Sequence, residues 1–379
     1  MKKTSYTNLP SPCWLLEESL LLKNLELMKY VKEKSGAKVL LALKGYALWK
    51  SFDMIKPYLD GCCASGLYEA KLAYETFNKE VHTYSPAFKE EEIEKIASIS
   101  QHMVFNSPEQ FKRFSKKAKT INPDLSLGLR VNPEYSASPK EIYNPCGLHS
   151  RLGTTLVNFN ESILDQCDGL HFHALCEQDS DALESVLKNF EAKFGNYIPQ
   201  MKWINFGGGH HITREGYDVE KLIVLIKEFK EKYNVEVYLE PGEAIGWETG
   251  TLISTVLDIV HNGIDIAILD TSAEAHMPDT IIMPYRAEVR GADVAGEKVH
   301  TYRLAGNTCL AGDIMGDYSF DTPLQIGDKI IFEDQMHYTM VKATTFNGIK
   351  LPCIAIERLN GDIDVVREFG YEDFKERLS

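Results

Sequence analysis

Residues 39–46 read VLLALKGY, an apolar run that starts at Val39 and is closed by Lys44. The run reads as a buried strand, and the lysine at its end poses the functional question. An ammonium group taken out of water loses the hydration that stabilises its charge. Its pKa falls, and the free amine can form a Schiff base. The plainer reading is that Lys44 snorkels out of the strand end on its aliphatic stem. The rest of the chain decides between them.

The same theme recurs outward from this stretch: a short apolar strand ending in small or polar residues, then a segment of helical periodicity. The strand candidates are KVLLALK, GCCAS, VHTYS, HMVFN, SLGLRVN, GLHFHAL, WINFGGG and VEVYLEP. Amphipathic segments such as LYEAKLAYETF, SPEQFKRFSKKAK and DVEKLIVLIKEFKEKY separate them, the second opened by Ser107 as N-cap with Pro108 at the first helical position. Strands alternating with helices in this way are what a (β/α)8 TIM barrel requires, because each parallel strand needs a crossover helix. After EPGEAIGWETG the texture changes to β-rich runs: TLISTVLDIV, DIAILDT, YRAEVRG, HTYRLAG, KIIFED, HYTMVKATTF and LPCIAIE. Their alternation and turn residues predict a C-terminal antiparallel β-sandwich or small β-barrel. The expected division is a barrel over 15–250 and a β domain over 251–379, joined by residues 1–14.

Composition narrows the function. The 379 residues exceed the usual size of one core, hydrophobic content is 44%, and the net charge is −14. That balance argues against nucleic acid or an anionic membrane as partner and favours a cationic small molecule. No apolar run approaches the roughly 20 residues of a membrane span. Eight cysteines without paired spacing, and no signal peptide, predict reduced thiols in the cytoplasm. His210 and His211 stand side by side without a carboxylate at ligand spacing, so no metal site is expected.

Barrel enzymes place their chemistry at the C-terminal ends of the strands. Lys44 stands there on the first strand, His173 on the sixth, Gly207, Gly208 and Gly209 after the seventh, and Glu240 on the eighth. Three glycines make either a plain turn or, at this position in a barrel, a phosphate cradle. A Schiff-base lysine and a phosphate cradle on one face together suggest pyridoxal 5′-phosphate. Glu240 could then keep the pyridine nitrogen protonated, and His173 could lie against the ring. A core histidine is the alternative for His173.

The motifs ALKGY, HFHALCE, NFGGGHH, EPGEA, GNTCLAGD and HYTMVKATTFNG resemble those of the alanine-racemase-fold (fold type III) pyridoxal-phosphate decarboxylases. These act on ornithine, arginine, diaminopimelate and carboxynorspermidine. The wording of HFHALCE, EPGEAIGW, HMPDTIIMPYR and GNTCLAGD is most similar to members acting on carboxynorspermidine and carboxyspermidine in polyamine biosynthesis. The resemblance implies that Lys44 carries the cofactor, that His173 stacks on its ring and that Glu240 holds its nitrogen. The backbone of Gly208 and Gly209 and the hydroxyl of Tyr338 would take the phosphate. Cys309 matches the residue that reprotonates Cα, and Asp313 an acid that binds the distal amine. Both would reach the site from the other subunit of a homodimer.

Two departures stand out. Relatives acting on simpler amino acids usually have arginine where Glu243 stands, and several have an acid where Cys62 stands. Substrate choice falls to carboxylates spaced to meet ammonium groups, for which Asp313, Glu274 and Asp279 are candidates. Three other readings remain: decarboxylation of diaminopimelate, ornithine or arginine, an amino-acid racemase on the same cofactor, and a non-catalytic cofactor-binding protein. The GNTCLAGD segment favours a decarboxylase over a racemase. The joint presence of Lys44, Glu240, Cys309 and Asp313 favours an enzyme over a carrier.

Overall fold

The computed structural model describes Tyr6, residues 9–138 and residues 140–379. Residues 1–5, 7 and 8, part of the segment expected to join the β domain, lie outside the described set. The chain divides into one unit from Lys23 to Ile245 and a second formed by residues up to Leu22 together with Gly246–Ser379.

Strand β1 (Cys13–Glu17) belongs to the second unit. The run at Val39 becomes β2 (Lys38–Ala42). It is followed by β3 (Gly61–Ala64), β4 (Glu80–Tyr84), β5 (His102–Phe105), β6 (Ser126–Arg130), β7 (Gly169–His171), β8 (Trp203–Asn205) and β9 (Glu236–Leu239). These eight, β2 to β9, pair in parallel and close into a barrel in chain order, β9 returning to β2. The expected TIM barrel is therefore the fold of the first unit.

Barrel closure needs an interior that side chains can fill. Lys38, Glu80, His82, His102, Trp203 and Tyr238 meet in the layer nearest the strand N-termini. The His82 and His102 rings stack at 3.7 Å, and the Lys38 Nζ lies 2.9 Å from Glu80. Trp203 is the bulk of that layer, and β6 and β7 make room for it. A Cβ on Gly169 would stand 2.1 Å from the indole, and one on Gly128 2.4 Å from it. Outside the barrel, Phe172 packs on Phe190 of the helix Ser180–Phe194 and on Phe206. The helix Pro108–Ile121 starts as its sequence predicts, the Ser107 hydroxyl accepting from the Gln110 N–H at 3.2 Å.

The second unit carries a nine-stranded sheet. Its remaining strands are β10 (Gly250–His261), β11 (Asp265–Leu269), β12 (Asp293–Val294), β13 (His300–Ala305), β14 (Ile314–Phe320), β15 (Lys329–Phe332), β16 (Cys353–Glu357) and β17 (Ile363–Arg367). Most pairs are antiparallel, as expected, but β1 pairs with β16 and β11 with β13 in parallel. Neither is a hairpin partner in sequence, so each comes alongside by a long connection, which permits the parallel sense.

Two expected strands are not strands. YRAEVRG contributes only a bridge from Val289 to Phe332. HYTMVKATTF forms a helical turn, Thr339–Lys342, instead. Its β-branched and aromatic residues suit a strand locally, yet strand propensity yields to tertiary placement. All eight cysteines are free thiols. No helix of the described residues is long and apolar enough to cross a membrane.

Candidate active site

The strands end earlier than their apolar runs suggest, so the functional residues stand in the turns just beyond them. The β2 ladder stops at Ala42, whose carbonyl accepts from the N–H groups of Gly45 and Tyr46 at 3.0 and 3.2 Å. This tight turn presents Lys44 at the barrel mouth. Gly45 is required there, since a Cβ would stand 2.9 Å from the Glu243 nitrogen. Lys44 keeps accessible surface although protein surrounds it, as a side chain lining a concave mouth does. Burial first, and the Arg130 guanidinium second, hold its ammonium below the usual lysine range.

Glu240 follows β9, its N–H bonded to the Gly207 carbonyl at 2.8 Å. Its Oε1 accepts from Asn205 Nδ2 at 2.7 Å, and its Oε2 lies 3.2 Å from His171 Nε2. Burial pushes this carboxyl up, while His171 and Asn205 work against it and hold the group below the usual carboxylate range. His173, two residues beyond His171 on the same side of the chain, accepts from the Gly208 N–H at Nδ1 at 2.9 Å. Burial, then Lys44, keeps His173 well below the usual imidazole range. A neutral ring that accepts at Nδ1 carries its proton on Nε2.

That contact engages the Gly208 amide, one of the two backbone groups expected at the phosphate, with the His173 ring. The glycines are still needed for close approach: a Cβ on Gly208 would stand 2.4 Å from the Glu240 carbonyl, and Gly207 and Gly209 have φ of +69° and +84°. Successive strand residues face opposite sides, and beside Cys62 it is Cys63 whose thiol feels the charges of Glu240 and Lys44, burial pushing it well above the usual range.

In the sheet unit Asp313 is 3% exposed. Its Oδ1 accepts from the Ser272 hydroxyl at 3.0 Å and the Ala273 N–H at 2.7 Å. Its Oδ2 accepts from the Thr308 hydroxyl at 2.6 Å and the Thr308 N–H at 3.2 Å. The carboxylate expected to bind an amine is thus filled by its own loops. It ties the turn Ala273–His276 to the segment that bears Cys309. Asp279 is likewise engaged, both oxygens lying 2.8 Å from Lys342 Nζ. Glu274 differs. Its Oε2 is buried without a hydrogen-bond partner, and burial together with the Asp313 charge pushes its carboxyl up. Cys309 is exposed, its N–H donating to Asn347 Oδ1 at 2.7 Å. Tyr338 has φ of +32°, a strained value for a side-chain-bearing residue, and such strain collects at functional positions.

The sequence reading passed over Arg130, His171, Asn205 and Tyr84. Arg130 is 5% exposed, donates to the His173 carbonyl at 3.3 Å and lies 4.7 Å over the Tyr84 ring. It closes the apolar run SLGLR as Lys44 closes VLLAL, a signal that was available. Asn205 inside WINFGGG gives none. Away from the mouth, Glu80, His82 and His102 bring ligand atoms within 4.8 Å of one another. There Lys38 already neutralises Glu80, and stacked imidazoles do not aim two lone pairs at one ion.

The mouth fits pyridoxal phosphate on its own features. It offers an amine whose charged form is disfavoured, a carboxylate with lone pairs to spare, an imidazole with a fixed ring, and a turn that only glycine can make.

Comparison with known proteins gives the same direction. Residues 30–335 match the sequence family described as pyridoxal-dependent decarboxylase, C-terminal sheet domain. The chain is 56% identical to a carboxynorspermidine/carboxyspermidine decarboxylase of Campylobacter jejuni, over 98% of this chain and 99% of that one. It is 46% identical to a carboxyaminopropylagmatine decarboxylase of Synechocystis, over 98% and 96%. A crystal structure of carboxynorspermidine decarboxylase complexed with norspermidine, from Campylobacter jejuni, superposes with a TM-score of 0.92. The identity there is 55%, over 97% of this chain and 100% of that one.

Proposed function

Given that this chain belongs to the pyridoxal-dependent decarboxylases, we propose that its substrate is carboxynorspermidine or carboxyspermidine, decarboxylated to norspermidine or spermidine in polyamine biosynthesis. The observation that carries this reading is the 56% identity over nearly the whole of both chains to a relative of that name. The net charge of −14 suits a polycationic substrate.

Bound pyridoxal phosphate supplies an electron sink for the pair left at Cα when the carboxylate departs as carbon dioxide. The residues of this chain do the remainder. Lys44, its charged form disfavoured, would hold the cofactor covalently, and Glu240 would hold its ring nitrogen while His173 lies against its face. The Gly209 turn and the Tyr338 hydroxyl would take its phosphate. A proton must then reach Cα, and Cys309, an exposed thiol, is the candidate donor. Glu274 supplies the negative charge for the polyamine tail, because its buried oxygen lacks a partner while Asp313 and Asp279 are engaged.

The enzyme would work in the cytoplasm as a homodimer, with Cys309 of the partner subunit completing each site. Free thiols at all eight cysteines agree with a reducing compartment. The decisive assay measures carbon dioxide release from carboxynorspermidine, carboxyspermidine, carboxyaminopropylagmatine, ornithine and diaminopimelate. A higher kcat/KM for any of the last three overturns the substrate assignment. Mixing Lys44→Ala and Cys309→Ala proteins tests the shared site. Full exchange in a two-fold dimer restores about a quarter of wild-type activity, and no recovery after verified exchange refutes it.

A further inference from the structure

We propose that His171 is a positioning residue for this reaction: as a neutral donor it fixes, with Asn205, the carboxylate of Glu240 that meets the cofactor's ring nitrogen. The inference rests on the role given to Glu240 above and concerns how that role is achieved.

His171 ends β7, and Phe172 beside it turns outward onto Phe190 and Phe206 at ring distances of 4.8 and 5.3 Å. That anchor commits His171 to the barrel interior, where it is 2% exposed. Its ring lies 5.6 Å from the ring of Tyr84, and its Nε2 reaches Glu240 Oε2 at 3.2 Å. An ionised carboxylate can only accept, so the imidazole proton at this contact is on Nε2. The other nitrogen, Nδ1, is buried with no hydrogen-bond partner. A second proton there would find no acceptor, which favours the neutral ring.

Asn205 is the matching donor on the other oxygen. Its orientation is set because its Oδ1 accepts the Gly207 N–H at 2.8 Å, which leaves Nδ2 to face Glu240 Oε1 at 2.7 Å. One donor on each oxygen removes the carboxylate's freedom to rotate and leaves a lone pair on each for a further donor. Both clamps are uncharged. The single negative charge of Glu240 is therefore not cancelled locally, and it remains available to keep a pyridine nitrogen protonated. A charged partner in the same place would have competed for it.

The test uses the full-length enzyme loaded with cofactor labelled with nitrogen-15 at the ring, in His171→Leu, His171→Gln and His171→Asn forms. The Gln amide can reach the position of Nε2, whereas the Asn amide ends at the level of Nδ1. Leu and Asn are expected to move the ring-nitrogen resonance toward the neutral pyridine value. They should lower kcat about 10- to 100-fold, the worth of one hydrogen bond to a charged group, with KM changed less than about 3-fold. Gln should return both the resonance and kcat to near wild type. A folded Leu or Asn variant with wild-type resonance and kcat overturns the proposal and reduces His171 to packing. If the resonance of the unmodified enzyme is itself that of neutral pyridine, the role of Glu240 fails, a different result from the failure of His171 alone. Should Leu not fold, Asn and Gln still separate a donor at the right reach from a polar group that falls short.

Discussion

Two carboxylates, Glu240 in the barrel unit and Asp313 in the sheet unit, look alike in sequence: each is an acid inside a motif. They differ in how many lone pairs are taken. A carboxylate offers about four acceptor sites. Glu240 has two donors, one on each oxygen. Asp313 has four at 3.2 Å or less, from Ser272, Ala273 and both groups of Thr308. The first retains capacity for a ligand, and the second is a knot in its own loops. Glu274, next to that knot, is the acid left short of partners. Donor count, more than burial or motif, sets the two carboxylates apart.

The largest expected effect tests the barrel half of this contrast. Glu240→Gln keeps shape and loses charge, so kcat should fall about 100- to 1,000-fold with the thermal midpoint nearly unchanged. Near-normal kcat would remove the contrast. Asp313→Asn should do the reverse first: an amide NH2 must face donors on one side, costing ~3 kcal/mol in urea unfolding. An Asp313→Asn protein as stable as wild type, with a higher KM for polyamine substrates, would return Asp313 to the tail-binding role.

Acid sensitivity compares the two units through a histidine in each. Burial lowers His210 in the barrel and His276 in the sheet to about 4 from 6.5. The unfolded chain therefore binds more protons than the folded one in this interval. Their contribution is intact above about pH 6.5 and is lost as the pH falls to about 4. At pH 5 each should cost up to ~2 kcal/mol. Urea midpoints at pH 7 and pH 5, with His210→Gln and His276→Gln beside wild type, measure it; a stability that holds or rises down to pH 5 contradicts the burial argument.

Smaller effects sharpen the sheet half. Glu274→Gln should raise KM for the polyamine substrate about 10-fold with little change in kcat, as loss of one tail contact predicts. Asp279→Asn breaks only the pair with Lys342, 18% and 38% exposed. It should change stability by less than ~1 kcal/mol and leave KM unaltered. A larger KM effect at Asp279 than at Glu274 would exchange their roles.

Much of this was legible in the linear chain because it depends on local chemistry. The alternation of apolar strands and amphipathic helices dictates a barrel, since every parallel strand needs its crossover. An apolar run closed by a charge marks a strand end, which is how Lys44 declared itself, and Arg130 carries the same mark. The helical turn at Thr339–Lys342 was misread because propensity there is outweighed by placement.

What the sequence could not contain is partnership between residues far apart in it. His171 reaches Glu240 across 69 positions and Asp313 reaches Ala273 across 40. No spacing rule links such pairs. The sequence by itself determined the barrel, the sheet and the kinds of reactive group at the strand ends, because periodicity and side-chain chemistry are local. Only the tertiary structure decided that the Gly208 amide serves His173, that Cys63 and not Cys62 faces Lys44, and that Asp313 is saturated while Glu274 is not. A hydrogen-bond donor satisfies whichever acceptor the fold brings within about 3 Å, and folding alone sets that distance.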